Sequence, residues 1–137
     1  MTAIIIGITS GLLTILLIGI LKHLDKKLVY GLILSGIGFL YVGFSWTVIQ
    51  ALTLNSIQAI LFVLLAYYGI RKGVYILATG YFLHGGWDIA YNLFATPGLL
   101  PPNYDLFCSS LDLTVCAYIL VFNKQFKIRL TNQELVS

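Results

Sequence analysis

QALTLN, Gln50 to Asn55, is the short polar interruption on which the helix count depends. It divides an apolar stretch, Leu28 to Ile70, that is about twice as long as one membrane crossing. Taken as a turn, it gives five spans; taken as helix, it leaves four long ones. A helix rises ~1.5 Å per residue, so ~20 apolar residues cross ~30 Å of hydrocarbon. With polar Gln50, Asn55 and Gln58 at the break, the apolar runs lie at 3–21, 28–49, 54–70, 73–94 and 105–122. The expectation is an all-α polytopic membrane bundle of five transmembrane helices over residues 1–123, followed by a cytoplasmic tail over 124–137.

Charge supports the count of five. Only 9% of the 137 residues are charged and 59% are hydrophobic, against roughly 25% charged in a soluble domain. The eight basic residues fall in three clusters: Lys22, Lys26 and Lys27; Arg71 and Lys72; Lys124, Lys127 and Arg129. QALTLN and ATPGLLPPNY (Ala95 to Tyr104) have none. Five spans put every cluster on one side, whereas four divide them. Basic flanks stay cytoplasmic, so the N-terminus is expected outside and the C-terminus inside a bacterial cytoplasmic membrane. The net charge of +3 then reflects orientation, not nucleic-acid binding, because the basic residues form no single stripe. Residues 1–20 carry no positive charge and lead to no small-residue cleavage site before Lys22, so the first helix is expected to be retained rather than to act as a signal.

In lipid, apolar side chains gain little from each other, and helix contacts are marked by small residues. Gly7 and Gly11, Gly31 and Ser35, and Gly86 and Ala90 each have that spacing, which suits packing within the chain or, alternatively, a homo-oligomer. No long internal repeat suggests an inverted-repeat transporter. Thr96, Pro97 and Gly98 stop the fourth helix; Pro101 and Pro102 hold the chain extended until Asn103 can cap the fifth. Tyr30, Trp46, Tyr67, Tyr68, Tyr75, Tyr91 and Tyr104 are expected as an interfacial aromatic belt.

The chemistry gathers in YFLHGGWDIAYN, Tyr81 to Asn92. Residues four apart share a helical face, so His84, Asp88 and Asn92 form a stripe, extended inward by Tyr81. On the next helix the same spacing aligns Cys108, Asp112 and Cys116. Helix rise places His84 ~16 Å from the inner edge and Asp112 ~10 Å below the outer one, so the stripes can meet. A carboxylate at a helix centre costs about 2.5 to 3.5 kcal/mol, and the acids are therefore expected to face each other and the histidine. Burial favours neutral forms, a His–Asp pair favours charged ones, and neighbouring carboxylates share a proton. Such a group suits proton transfer or holding a cation; the plain alternative is a polar clamp between two helices.

The catalytic candidates are therefore His84, Asp88 and Asp112, with Trp87, Tyr91, Asn92 and Cys108 as substrate contacts in a pocket open toward the outer face. Asp105 is read as a dipole-complementing residue of the first turn. The two cysteines are ~12 Å apart in helix rise, too far for a disulfide. No Walker-type or dinucleotide loop, HExxH or GxSxG is present, and no CxxC or HxxxH spacing specifies a metal, so cofactor and metal are left open.

HGGWD, His84 to Asp88, followed by a proline-containing loop and then Tyr104, Cys108 and Asp112, resembles the H-x-x-W-D … Y-x-x-x-C-x-x-x-D pattern of a family of small bacterial multi-helix membrane proteins of unknown function. The resemblance covers the last third of the chain. It implies that His84, Trp87, Asp88, Cys108 and Asp112 belong to one site, and brings no activity with it. A likeness to sterol isomerase-like membrane proteins is one of architecture alone. The leading expectation is acid–base chemistry on a lipid-soluble small molecule; the alternatives are carriage of a proton or metal cation, and a non-catalytic subunit of a larger complex. The lipid bilayer is the expected partner throughout.

Overall fold

The computed structural model describes residues 1–126. It contains five α-helices: α1 (Thr2–Ile20), α2 (Lys26–Phe44), α3 (Ile49–Lys72), α4 (Val74–Phe94) and α5 (Tyr104–Val121). No strand occurs among the described residues. Four of the helices, α1, α2, α3 and α5, are long and apolar enough to cross a membrane. Helix α4 has the length, 21 residues, but carries the polar stripe.

The second turn lies earlier than the sequence suggests. Helix α2 ends at Phe44 and α3 begins at Ile49, so QALTLN is helical and the reversal occupies residues 45–48. Gln, Ala and Leu are good helix formers, and the polar residues that resembled a break have other uses. Asn55 and Gln58 are buried on the inner face of α3, while Gln50 is exposed in its first turn. The count of helices survives this shift, because Ser45 closes α2 by donating from Oγ to the Tyr41 carbonyl at 2.7 Å.

Between α3 and α4 there is a single residue, Gly73, at φ 157° and ψ 156°, a conformation open in practice only to glycine. The α4–α5 connection contains Gly98 at φ 82° and Asn103 at φ 59°. Asn103 occupies the N-cap position of α5 but makes no side-chain cap bond, in contrast to the expected capping role. Asp105 instead accepts from Asn92 Nδ2 at 3.0 Å, tying the ends of α4 and α5 together.

Glycine contacts give the directions of the helices. Gly31 faces Ile70 and Gly38 faces Phe62, so α2 and α3 are antiparallel. Gly7 lies against Phe107 and Ser110, and Gly11 against Leu111 and Thr114, so α1 runs parallel to α5, two positions of alternation apart. The Gly7–Gly11 face is thus occupied within the chain. Gly86, by contrast, has nothing within 4 Å of where a Cβ would stand.

The outer surface is apolar and the interior is mixed, the reverse of a soluble bundle. Leu12, Leu16, Leu32, Ile57, Leu61 and Phe82 are among the exposed large hydrophobics. Hydroxyls of Thr9, Ser35, Thr53 and Thr79 donate to carbonyls four residues back, at 2.7–3.1 Å, as exposed polar groups do when no solvent is available to them. Trp46, Tyr67, Tyr68 and Tyr75 are exposed near helix ends, as a belt requires. Tyr30 and Tyr91 are instead core residues. The tail begins anchored: Phe126 packs on Tyr30 and Tyr118, and Lys26 Nζ donates to Gln125 Oε1 at 3.4 Å. Lys127, Arg129 and the rest of the expected tail lie outside the described residues.

Candidate functional site

Helix α4 packs against α2, α3 and α5, and its polar face points into the space they enclose. His84, Asp88 and Asp112 are completely buried. His84 Nδ1 lies 2.7 Å from Asp112 Oδ2 and 3.5 Å from Asp88 Oδ2. The convergence expected from matching depths therefore occurs. At Gly85 a Cβ would meet the Ser109 carbonyl and the Asp112 Cβ at 3.4 and 3.5 Å, ordinary contact distances, so α4 and α5 pack closely here without requiring the glycine.

Two residues not anticipated from sequence complete the group. Tyr41, one helix away on α2, donates its hydroxyl to Asp88 Oδ1 at 2.5 Å. Asn55 of α3 donates to the Tyr91 hydroxyl at 2.9 Å and to the Tyr41 carbonyl at 3.3 Å. Four helices thus meet through one chain of polar contacts. The signal for Asn55 was present as a lone amide in an apolar run; the turn reading absorbed it.

Cys108 adds a thiol. Its Sγ lies 3.8 Å from Asp112 Oδ2, and the Tyr104 hydroxyl sits beside it. One potential ligand atom each from His84, Asp88, Cys108 and Asp112 lies within 4.8 Å of the others, and all four residues are buried. Cys116 is buried and free, as is Cys108, but belongs to no such group. Within the group, His84 Nε2, Asp88 Oδ2 and Asp112 Oδ1 have no hydrogen-bond partner among the described residues. A buried polar atom left unpaired costs about 1–3 kcal/mol, so three in one place are an uncommon concentration.

The remaining substrate candidates divide. Tyr91 stacks edge-on against Tyr41 at 5.0 Å and belongs to the network. Trp87 stands on the side of α4, packing on Tyr91 and Phe94. Asn92 is exposed and donates to the Asp105 carboxylate instead of to Asp88 or Asp112. The cavity at the end of the bundle where the loop joins α4 to α5, about 400 Å³, is lined by residues such as Pro97, Pro101 and Asp105, and not by Trp87, Tyr91 or Cys108. Beneath it the Tyr41, Phe44, Tyr91 and Tyr104 rings pack edge to face, filling the route from the outer face that the sequence suggested.

A second opening lies at the side. A groove of about 460 Å³ between α3 and α4 is lined by apolar side chains together with Gln58, Phe62, Gly86 and Trp87. Gly86 and Ala90, expected as a helix contact, line this groove. The Phe62 ring is also packed edge-on against the His84 imidazole, centroids 4.7 Å apart. Phe62 thus touches both the groove and the fully buried histidine.

The fold and site define an all-helical protein with four helices fit to cross a membrane and a buried His/Asp/Cys/Asp group. By sequence the chain belongs to a family of unknown function, DUF6010, whose model matches residues 2–125. Neither a curated protein nor a solved structure matches it.

Proposed function

We propose that the chain is a multi-pass protein of the bacterial cytoplasmic membrane that crosses it five times, with its N-terminus outside, a bundle over 1–123 and a cytoplasmic tail over 124–137. Alternating helix directions support this: Lys22, Lys26, Lys27, Arg71, Lys72 and Lys124 follow or begin helices at the same end of the bundle. On intact cells an impermeant thiol reagent should label a Pro101→Cys variant and leave Lys26→Cys untouched. The opposite pattern overturns the orientation.

Within that frame we infer acid–base chemistry on a hydrophobic small molecule or lipid. His84 carries the proton, Asp88 orients the ring, and Asp112 serves as second acid or as stabiliser of a developing cation. The observation that carries this reading is the Phe62 contact, which sets the imidazole one ring away from a groove open to the side of the bundle. A membrane-dissolved substrate enters there laterally, with Trp87 on the groove wall and Tyr91 and Cys108 about the buried group. Asn92 is left at the outer rim.

The test compares lipid extracts of cells expressing the wild type and His84→Ala, with proton and cation flux measured on liposomes of the same proteins. Acid–base chemistry changes the lipids and gives no flux. Flux that His84→Ala abolishes, with unchanged lipids, overturns it in favour of a carrier. No effect of His84→Ala, Asp88→Ala or Asp112→Ala on either measurement leaves the group a polar clamp.

A further inference from the structure

We propose that His84, Cys108 and Asp112 form a three-ligand site for a zinc-class divalent cation, with Asp88 beside its fourth coordination position. The inference rests on the reading of this cluster as a working site and names the cofactor it would use; with the cation bound, His84 Nδ1 and Asp112 Oδ2 are ligands, and the proton-transfer role passes to Asp88.

Geometry comes first. Tetrahedral zinc holds nitrogen and oxygen at ~2.0–2.1 Å and sulfur at ~2.3 Å, so neighbouring ligand atoms stand ~3.3–3.6 Å apart. Here Nδ1 of His84 and Oδ2 of Asp112 are 2.7 Å apart, and Sγ of Cys108 is 3.8 Å from that same oxygen. Exchanging the shared proton for a cation requires the first distance to widen and the second to shorten, both by less than about 1 Å, within the reach of side-chain rotation. The i, i+4 spacing of Cys108 and Asp112 on α5 keeps both on the face that meets His84.

The unpaired atoms are the second observation. Asp112 Oδ1 and Asp88 Oδ2 are fully buried carboxylate oxygens without hydrogen bonds among the described residues, although Asp88 Oδ2 is 3.5 Å from His84 Nδ1. A carboxylate oxygen buried in that way is costly unless a cation or donor reaches it.

Charge suits three ligands with Asp88 as their neighbour. A neutral imidazole, one carboxylate and one thiolate sum to −2 and cancel a divalent ion, giving a neutral centre suited to low dielectric surroundings. Asp88 accepts from the Tyr41 hydroxyl at Oδ1 and holds Oδ2 3.5 Å from His84 Nδ1, beside the fourth position, where it can orient what fills it. Three protein ligands and an open fourth place are the pattern of catalytic zinc. A thiolate with imidazole selects zinc or cobalt over magnesium or calcium, which take oxygen ligands. Binding releases two protons to solvent: that of the Cys108 thiol, and the one shared between His84 Nδ1 and Asp112.

The experiment uses full-length protein in detergent, stripped with chelator and titrated with Co²⁺. One cobalt per chain is expected, with thiolate-to-cobalt charge-transfer absorption that Zn²⁺ removes. Cys116→Ser, which leaves Cys108 as the sole thiol, should behave identically. Cys108→Ser should lose the band and bind at least ~10-fold more weakly. No band in the wild type or in Cys116→Ser overturns the proposal, as does an undiminished band in Cys108→Ser. Because Cys116→Ser decides the matter alone, misfolding of Cys108→Ser does not protect it. No cobalt band together with lipids that His84→Ala alters sinks the metal site and spares the acid–base reading; a stoichiometric cobalt band with lipids unaffected by His84→Ala does the reverse.

Discussion

Helices α1 and α4 differ in nearly everything except length. Helix α1 buries only Gly7, Gly11 and Ile18 and gives the rest of its surface to the exterior. Helix α4 buries Leu77, Tyr81, His84, Asp88 and Tyr91 among others, and faces three neighbours. The first is held by the absence of side chains: at Gly7 a Cβ would stand 2.0 Å from Ser110 Oγ and 2.3 Å from the Phe107 carbonyl. The second is held by polar atoms that find partners on other helices. Without water to expel between helices, a membrane leaves close packing and hydrogen bonding as the main sources of cohesion, and this protein assigns one to each.

Three substitutions sharpen the contrast. Gly7→Leu should have the largest effect, about 3 kcal/mol, because the obstructing atom is a backbone carbonyl that cannot swing aside. Unfolding in SDS should then show an early loss of helix ellipticity as α1 undocks. Trp46 and Trp87 fluorescence, which reports on α2 to α5, should change later. A single coincident transition at the wild-type midpoint would show that α1 is not held by this seam.

Asp88→Leu should come next, at about 2 kcal/mol, because it leaves the buried Tyr41 hydroxyl without an acceptor. Here both tryptophan and helix signals should shift together, since the network joins α2 to α4. A stability equal to the wild type would argue that Asp88 serves function alone. Gly86→Ala should change stability least, by under about 0.5 kcal/mol, as nothing stands within 4 Å of the added carbon. A loss as large as that of Gly7→Leu would mean that another surface covers the groove.

Much of the site was legible because it lay on two helical stripes. His84 with Asp88, and Cys108 with Asp112, follow from the four-residue period, and their meeting follows from the cost of leaving acids in lipid. Tyr41 was illegible: a tyrosine in an apolar helix looks the same whether it sits in a belt or in the core. Asn55 misled for a related reason, since a lone amide between two apolar runs marks a turn as readily as a buried hydrogen bond. The expected outer pocket failed because side-chain volume was not counted, and the Tyr41, Phe44, Tyr91 and Tyr104 rings fill that end.

The sequence by itself determined the helical class and the pairing of α4 with α5, because apolar run length and helical period are properties of one dimension. Only the tertiary structure decided where the second turn falls, that α1 docks on α5, and that Tyr41 and Asn55 of two other helices close the network. It also decided that Phe62 touches both the histidine and a groove at the side of the bundle. Each of these depends on which atoms of distant segments occupy the same space, a packing outcome that no local periodicity encodes.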